Sequence, residues 1–426
     1  MRLFLLSAVA ILVMSGSQAA PASLSVADHP SIQAALDANP GKLVHLPPGD
    51  YEISAKIRLR GQGGGLAGPG RIIQTNPDQP HLEIEDAAAV EVRDLTLTRP
   101  EGKTETRVEA ILAIRCRDLV IENVRVLDNW SNAGTISLRD CRDARISRCL
   151  VRNYMRISID DRTRSEDWGY AFRCSDGTAI SLDRSSGCLI EGNRLIEERL
   201  VPTREVRDQY GLGDFVKKNP VKGKIVNDVM WNADYTDAWQ QGSAIVVNAP
   251  KDSTMTRVLG NHIENAAQGI DIHSDQVIVA NNIVANAFIG MKAMHGSRNV
   301  LITGNQFLRN SLWAIGLMPG TGADAENSDG GSIVANNLIS GFGHGDAAWI
   351  WGTERSPFKF DNGQEADDPP LRDVLVQGNV VDCIGEPRYR YAVIIAGGQD
   401  GPQGLRFAGN LFSPGTGGVA NVALPE

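Results

Sequence analysis

Residues 258–305 carry the pattern that decides the fold, and they read VLGNHIENAAQGIDIHSDQVIVANNIVANAFIGMKAMHGSRNVLITGN. Apolar residues at every second position lead into Gly-Asn or Asn-Asn, and Asn261, Asn282 and Asn305 are separated by 21 and 23 residues. A period in the low twenties with strand-like alternation predicts the coils of a parallel β-solenoid. Asn and Gly suit its corners because they tolerate left-handed backbone conformations, and stacked Asn amides can bond one another.

The same phrase recurs along most of the chain. Its copies are Leu119–Asn123, Leu189–Asn193, Val258–Asn261, Val277–Asn282, Val300–Asn305, Ile333–Asn337, Leu375–Asn379 and Leu405–Asn410. A helical interpretation fails, because the apolar spacing is two and because Gly and Asn recur where a helix interior would not accept them.

Composition narrows the class of protein. The chain has 426 residues, of which 42% are hydrophobic and 22% charged, and its 44 Gly follow no strict period, so disordered and collagen-like chains are excluded. A formal net charge of −9 argues against general binding to nucleic acid or anionic membranes. We therefore expect a globular protein without a nucleic-acid partner, in which any basic recognition is local.

The first residues predict export. Met1-Arg2 precedes an apolar run over residues 3–14, and Ser17-Gln18-Ala19 is a small-x-small cleavage site. These features are typical of a secretory signal peptide, which we assign to residues 1–19. We expect residues 20–426 to form a single β-helix domain that is secreted or periplasmic, monomeric and without a membrane anchor.

The chain has six cysteines, too few for a disulfide scaffold, and no C-x-x-C pair. Cys116 and Cys141 occupy matching positions of adjacent repeats. If those repeats stack at a strand spacing of about 4.8 Å, the two Cα atoms fall within disulfide range. Buried packing is the alternative role for all six cysteines.

The N-terminal part adds a resemblance to a known family. Residues 32–37 have a short helical pattern, and residues 41–51 read as a strand, a tight Pro-Pro-Gly turn and a second strand. Together with the repeats, this arrangement resembles the pectate-lyase-like proteins. The resemblance implies an all-β fold, a right-handed parallel β-helix with an N-terminal helical cap and loop insertions.

Spacings longer than one coil mark insertions, the large ones at residues 153–178, 194–242, 319–331 and 343–371. Five of the seven Trp lie in them, namely Trp168, Trp231, Trp239, Trp349 and Trp351. Aromatic side chains in loops suggest platforms for sugar rings, and the alternative is that they pack the loops onto the solenoid. Our candidates for sugar binding are Trp168, Trp239, Trp313 and Trp351.

One set of aligned strands predicts a functional face. Because side chains alternate along a strand, Ile270 and Ile272 and their counterparts point inward, and the positions between them form two outward columns. The first column is Ser137, Ser181, Val246, Asp271 and Lys292, and the second is Arg139, Asp183, Asn248, His273 and Met294. Long loops beside such a face would form a groove for a polymer.

The columns bring together groups that can move protons. Asp271 and Lys292 should be neighbours one coil apart, with His273 on the same face and His295 just past the next strand. A His can abstract a proton while a neighbouring Lys stabilises a carboxylate or enolate, as β-elimination at a uronic acid requires. The alternative is a salt bridge between Asp271 and Lys292 beside a solvated His273.

A second set of residues suggests other chemistry. Asp161, with its neighbour Asp160, and Asp183 could form the acid and base pair of a glycosidase. The loop that follows Asp161 contains Arg162 and Arg173, whose guanidinium groups suit sugar carboxylates, or else form an internal ion-pair network.

Two narrower resemblances concern residues 269–296. This region resembles the part of chondroitinase B and related alginate lyases that carries a catalytic Lys and, 21 residues later, a catalytic Arg. His273 stands at the Lys position and Met294 at the Arg position, and Ala266 and Gln268 replace the Glu residues that bind calcium there. The Gly-Ile-Asp-Ile strand at Gly269 also resembles polygalacturonases, without their three-aspartate site.

Our leading hypothesis is an exported polysaccharide lyase that cleaves a uronate-containing polymer. His273 or Lys292 would be the base, and Arg139, Lys292 and the arginines of residues 156–173 would neutralise substrate carboxylate, with Asn248 and His295 also in contact with substrate. The alternatives are a glycoside hydrolase that uses Asp161, Asp183 or Asp271, a uronate C5-epimerase, and a non-catalytic glycan-binding solenoid. Calcium remains open as a cofactor.

Overall fold

The computed structural model describes residues 24–101, 106, 108–131, 133–159, 173–198, 242–320, 328–345, 355–362, 368–397 and 401–426. The described chain opens with a short 3-10 helix, Val26–Asp28, and an α-helix, α1, Ile32–Ala38. Ser31 caps α1 by accepting a hydrogen bond from the N–H of Ala34. None of the described helices is long and apolar enough to cross a membrane.

Three parallel sheets follow, each with twelve strands in the described residues, and successive strands of the chain go to sheets A, B and C in turn. Sheet A contains β1 Leu43–His45, β4 Gly65–Ala67, β7 Glu91–Arg93, β10 Val120–Glu122, β13 Arg145–Ser147, β18 Leu189–Glu191, β21 Arg257–Leu259, β24 Ile278–Ala280, β27 Leu301–Thr303, β30 Ile333–Ala335, β33 Leu375–Gln377 and β36 Arg406–Ala408.

Sheet B contains β2 Asp50–Ile53, β5 Arg71–Gln74, β8 Thr96–Thr98, β11 Arg125–Leu127, β14 Leu150–Arg152, β19 Arg194–Ile196, β22 His262–Glu264, β25 Ile283–Ala285, β28 Gln306–Leu308, β31 Leu338–Ser340, β34 Val380–Asp382 and β37 Leu411–Phe412. An antiparallel hairpin of β15 Arg156–Ile159 and β16 Arg173–Asp176 lies outside the three sheets.

Sheet C contains β3 Ile57–Gln62, β6 Leu82–Ala88, β9 Ile111–Ile114, β12 Gly134–Arg139, β17 Thr178–Asp183, β20 Ser243–Asn248, β23 Gln268–Ile272, β26 Ile289–Ala293, β29 Trp313–Leu317, β32 Ser356–Phe360, β35 Tyr391–Ile395 and β38 Gly418–Ala420. The predicted β-helix is therefore confirmed, and so is the predicted cap of one helix followed by two strands.

The cap protects the first edge of sheet C. The Gln33 side chain of α1 accepts from the backbone N–H of Arg58 at 2.7 Å and donates to its carbonyl at 3.2 Å. An open strand edge is a template for unwanted pairing, and here a side-chain amide occupies part of it.

Two internal ladders run along the solenoid. Asn193, Asn261, Asn282, Asn305, Asn337, Asn379 and Asn410 each bond the next through their amides at 2.9–3.0 Å. The residue before the ladder position, whether Gly260, Asn281 or Gly304, has a φ of 57–65°. The predicted Gly and Asn corner is confirmed, but Asn123 is wrongly placed in the ladder, because it has a φ of 52° and donates to Asp94 instead.

The second ladder begins with cysteines and continues with serines. The N–H of Cys116 donates to Cys141 Sγ at 3.4 Å, and the N–H of Cys141 donates to Ser185 Oγ at 3.0 Å. The ladder continues through Ser253, Ser274 and Ser297. Cys116 and Cys141 are thus stacked in adjacent coils as predicted, with both thiols free.

Candidate functional site

The site lies on the outer face of sheet C, where the two predicted columns are formed. In the register of the strands, Asp271 pairs with Val246 on one side and with Lys292 on the other. The inward neighbours Ile270 and Ile272 are fully buried. Among the outward residues, Asp271 is only 5% exposed, whereas Arg139 and Asn248 are exposed. Asp271 is therefore a sheltered carboxylate on a face whose other polar side chains reach solvent.

Asp271 is the centre of a charged cluster. Lys292 Nζ lies 3.2 Å from Asp271 Oδ2, and His273 Nε2 lies 2.9 Å from Asp271 Oδ1. Ser243, at the start of β20, donates its hydroxyl to Asp271 Oδ2 at 3.3 Å. The sequence predicts the pair of Asp271 and Lys292, but the contact with Ser243 becomes visible only once the register of β20 is known.

The charges around Asp271 decide its ionisation. Burial by itself raises the pKa of this carboxyl, but the positive charges of His273 and Lys292, with a smaller contribution from His295, outweigh it and hold the pKa well below its usual range. Asp271 is therefore an ionised carboxylate that orders the two side chains beside it and does not act as a proton donor near neutral pH.

A line of polar contacts connects His273 to the preceding coils. Its Nδ1 lies 3.2 Å from Asn248 Oδ1, and Asn248 Nδ2 donates to Asp183 Oδ1 at 3.3 Å. Arg184 pairs with Asp183 at 2.5 Å and with Asp140 at 2.8 Å. Asn248, a predicted substrate contact, thus holds His273 in the described structure, and Asp183 belongs to an ion-pair network.

His295 completes the cluster. Its ring meets the ring of His273 edge to face, with the centroids 4.5 Å apart. The backbone at Gly320 packs against this imidazole so closely that a Cβ there would lie 2.3 Å from His295 Nδ1. His295 therefore lies beside His273, as expected from its position just past the next strand.

Trp313 lies next to Lys292 on the same face. Lys292 pairs in register with Gly316, and a Cβ on Gly316 would lie 3.2 Å from Cε3 of the Trp313 indole. The indole therefore extends over a position that has no side chain. This arrangement gives the cluster a partly exposed aromatic surface of the kind that stacks on sugar rings.

A buried carboxyl that the sequence did not single out supports the turn after His295. Asp329 accepts from the backbone N–H groups of Gly296 and Ser297 at 2.8 and 2.9 Å and extends the serine ladder. Burial raises the pKa of Asp329 to about 7, although the two N–H groups oppose this shift. The column position shared with the ladder serines is the signal that could have identified it.

Other predicted site residues lie apart from the cluster. Arg139 pairs with Glu109 and stands three strands from the coil of His273, roughly 14 Å at the usual strand spacing. Arg173 begins β16, and nothing further is described of its side chain. The predictions on Asp161, Arg162, Trp168, Trp239 and Trp351 lie outside the described residues.

Within the described residues, no group of three or more His, Cys, Asp or Glu side chains is arranged to hold a metal ion.

Comparisons with known proteins agree with this architecture. The family model described as "Right handed beta helix region" matches residues 170–339. No curated protein matches the chain. Among solved structures, the chain is similar to PfbA, a surface adhesin of Streptococcus pneumoniae, at 12% identity and a TM-score of 0.54, with 95% of this chain and 93% of that chain covered.

Two further solved structures are enzymes. One is the catalytic unit of a thermostable GH87 alpha-1,3-glucanase from Streptomyces thermodiastaticus, at 14% identity and a TM-score of 0.54, with 95% of this chain and 71% of that chain covered. The other is the catalytic domain of a GH87 alpha-1,3-glucanase in complex with nigerose, at 12% identity and a TM-score of 0.56, with 95% and 69% covered. At these identities the likeness shows the fold alone, a right-handed parallel β-helix.

Proposed function

We propose that this right-handed parallel β-helix is a polysaccharide lyase that cleaves a uronate-containing polymer by β-elimination on the outer face of sheet C. The observation that carries the proposal is the sheltered carboxylate of Asp271 between Lys292 and His273. One fixed anion there orders two groups that can carry positive charge. The cluster can therefore accept the carboxylate of a sugar even though the formal net charge of the whole protein is −9.

The reaction makes three demands on the site. A base removes the proton from C5 of the uronate, the C4–O bond breaks as a C4=C5 double bond forms, and the leaving oxygen takes up a proton. Negative charge develops on the carboxylate, and a preorganised cation stabilises it. Lys292 is suited to that carboxylate, and the imidazoles of His273 and His295 are suited to the proton transfers.

Trp313 supports the assignment to a saccharide. Its indole extends over Gly316, one strand from Lys292, so a ring stacked on it would lie beside the charged cluster. The likeness to alpha-1,3-glucanases and to a surface adhesin shows no activity for this chain, but it indicates that the fold is used by proteins that act on glycans or are displayed at cell surfaces.

Hydrolysis is the second candidate, since the two enzymes of similar fold are named as glucanases. The charges around Asp271 disfavour it as the general acid of a glycosidase, because they hold the pKa of its carboxyl well below its usual range. Asp183 is already paired with Arg184, and Asp161, the other candidate, lies outside the described residues.

The test is incubation of the purified chain with polygalacturonate, alginate and chondroitin. We expect an unsaturated product that absorbs in the ultraviolet, and a loss of about 100-fold or more in its formation with Lys292→Ala. Lys359→Ala is the matched control, because Lys359 lies two strands further along the same column and pairs with Asp361 at 3.1 Å. That variant should keep its activity.

The other outcomes contradict elimination in distinct ways. New reducing ends without unsaturation would identify a hydrolase, and altered uronate stereochemistry without cleavage would identify an epimerase. Glycan binding that is kept in the Lys292→Ala variant, without turnover of any polymer, would favour a non-catalytic solenoid.

Export of the protein rests on the sequence of residues 1–19, which lie outside the described residues. The proposal that the lyase is secreted or periplasmic predicts a mature protein that begins at Ala20. N-terminal sequencing of the protein recovered from the cell envelope and from the medium checks this.

A further inference from the structure

A cavity lies between the cap helix α1 and the first strand of sheet C, β3. Its volume is about 650 Å³, within the range of roughly 300–1,000 Å³ that is usual for small-molecule sites. The buried apolar side chains of Leu36, Leu59 and Val90 form part of its lining. This cap cavity is separate from the cluster at Asp271, because β3 lies six strands from β23, roughly 29 Å at the usual strand spacing.

Cationic side chains predominate around the cap cavity. Of the described residues that line it, four are cations, namely Lys42, Lys56, Arg58 and Arg60. The lining contains one carboxylate, Asp37, which accepts from the Gln33 amide at 2.8 Å. Arg60 pairs with Glu85 at 2.7 Å. The surroundings are therefore positive on a chain whose formal net charge is −9.

The neighbouring carboxylates do not match these cations one for one. Glu83 pairs with Lys56 and also, at 3.7 Å, with Arg58, so one carboxylate serves two cations. Lys42 forms no ion pair within the part of the chain that the structure describes. The Arg58 side chain is 55% exposed, and the whole Lys42 residue is exposed, so both are accessible to a ligand.

A buried guanidinium lies behind the wall of the cavity. Arg99 is 5% exposed, and its Nη1 donates to the backbone carbonyl of Gln79, a lining residue, at 3.0 Å. Its Nη2 has no hydrogen-bond partner, and no carboxylate of the described chain pairs with it. Burial lowers the pKa of Arg99 to about 10. A buried charge without a counter-ion is strongly destabilising, and an anion bound nearby would offset part of that cost.

We propose that the cap cavity binds a compact organic dianion, with Lys42 and Arg58 in contact with its charged groups and the apolar lining in contact with its carbon skeleton. The charge of the ligand follows from the balance around the cavity. Four lining cations and Arg99 stand against three carboxylates, which are Asp37, Glu83 and Glu85. Binding there does not depend on the proposed lyase activity.

The apolar part of the lining distinguishes an organic ligand from an inorganic ion. A small inorganic anion would bind to the cations and leave Leu36, Leu59 and Val90 without contact, whereas a ligand with a carbon skeleton covers them. Two kinds of compound have this chemistry, an acidic disaccharide with two carboxylates and a sugar phosphate with one phosphate monoester. The probes are chosen to separate them.

The experiment is isothermal titration calorimetry at low ionic strength with the full chain that carries Lys292→Ala, so that the cluster on sheet C does not contribute a second site. The probes are digalacturonate, glucose 6-phosphate and neutral maltose. We expect one equivalent of dianion to bind and maltose to bind at least about tenfold more weakly. The dianion with the higher affinity identifies the source of the charge.

Substitutions locate the binding. Lys42→Gln and Arg58→Gln should each weaken binding of the dianion about threefold to fivefold, as expected for single exposed charges, and Lys42→Glu should weaken it further. The exposure of Lys42 and Arg58 makes loss of folding an unlikely cause, and an unchanged denaturation midpoint checks this.

Arg71→Gln is the matched control. Arg71 is on β5 of sheet B, pairs with Asp50 and is 50% exposed, close to the value for Arg58, but it does not line the cavity. This variant should keep the affinity for the dianion. The proposal would be overturned if maltose bound as tightly as the dianions, if neither dianion bound at millimolar concentration, or if Lys42→Glu bound them as well as Arg71→Gln does. None of these outcomes depends on whether a polyuronate is cleaved.

Discussion

Asp271 shows how one residue organises the site. A carboxylate taken out of water without partners costs several kcal/mol, and Asp271 is buried only because Lys292, His273 and Ser243 surround it. In return, the carboxylate fixes the positions of Lys292 and His273, the two side chains that the proposed reaction would use. The ion pair that the sequence offered as a structural alternative is therefore present, and it is compatible with a catalytic role for its neighbours.

Removing this charge should destabilise the protein. In Asp271→Asn the ammonium of Lys292 remains buried without its counter-ion, and we expect a loss of about 3 kcal/mol in the free energy of unfolding at pH 7. Because the folded-state pKa of Asp271 is depressed, the stabilisation is present above the unfolded pKa of about 4 and is lost only as the pH falls below it. Denaturant titration from pH 7 to 3 measures this.

Glu191→Gln is the control for that loss. Glu191 pairs with Arg145 at 3.1 Å and both side chains are more than 40% exposed, at 43% and 44%, so its removal should cost less than about 1 kcal/mol. Equal losses in the two variants would mean that Asp271 contributes no more than an ordinary surface pair.

The sequence predicted part of this residue-scale arrangement. Asp271 and Lys292 are 21 positions apart, one uninterrupted coil, so their contact follows from the period. Ser243 lies 28 positions before Asp271, next to an insertion that breaks the period, and the depth at which Asp271 is buried depends on packing that no local pattern encodes.

At the scale of elements, the asparagine ladder joins the coils. Asn282 Oδ1 accepts from both the backbone N–H and the amide of Asn261 at 2.9 Å, and its own amide donates to Asn305. Each rung thus satisfies donors of the coil before it, in a place where water cannot replace it.

Asn282→Ala should therefore cost about 3 kcal/mol, because two buried donors of Asn261 lose their acceptor. Asn410→Ala is the comparison, since Asn410 forms the last rung and is only partly buried, and it should cost about 1 kcal/mol. The shift of the denaturation midpoint measures both. A loss for Asn282→Ala as small as that for Asn410→Ala would show that the ladder adds little to the stacking of apolar side chains.

The ladder is also the part of the fold that the sequence predicted best. The Gly-Asn or Asn-Asn phrase marks one corner of each coil, so it identifies seven coils even where insertions separate two successive rungs by 31 to 68 residues. Asn123 was misplaced because an Asn can occupy either the ladder position or the left-handed position just before it. Asn123 occupies the left-handed position and donates to Asp94. The distinction between the two positions depends on φ, which the residue type does not determine.

At the scale of the whole molecule, the net charge of the chain repels a polyanionic substrate, whereas the local charge of the site attracts it. The formal net charge is −9, whereas the cluster on sheet C presents Lys292 and His273 around the single carboxylate of Asp271. Composition predicted that basic recognition would be local, and the cluster is local in this sense. Arg139, predicted to neutralise substrate, is roughly 14 Å away because a column along a solenoid extends with every coil.

This opposition predicts an unusual dependence of binding on salt. At an ionic strength near 0.01 M the Debye length is about 30 Å, so an approaching polyuronate is repelled by the whole chain, whereas near 0.15 M it is about 8 Å and only the cluster acts. We expect the association rate constant for oligogalacturonate to rise over this range, the reverse of steering by a basic protein. A neutral oligosaccharide should show no such rise.

In Lys292→Ala the salt dependence of association should persist while dissociation accelerates, because the sheltered charge of Lys292 acts after contact and the net charge of the chain acts before it. An association rate that falls with salt would place the dominant charge at the groove instead of over the whole molecule.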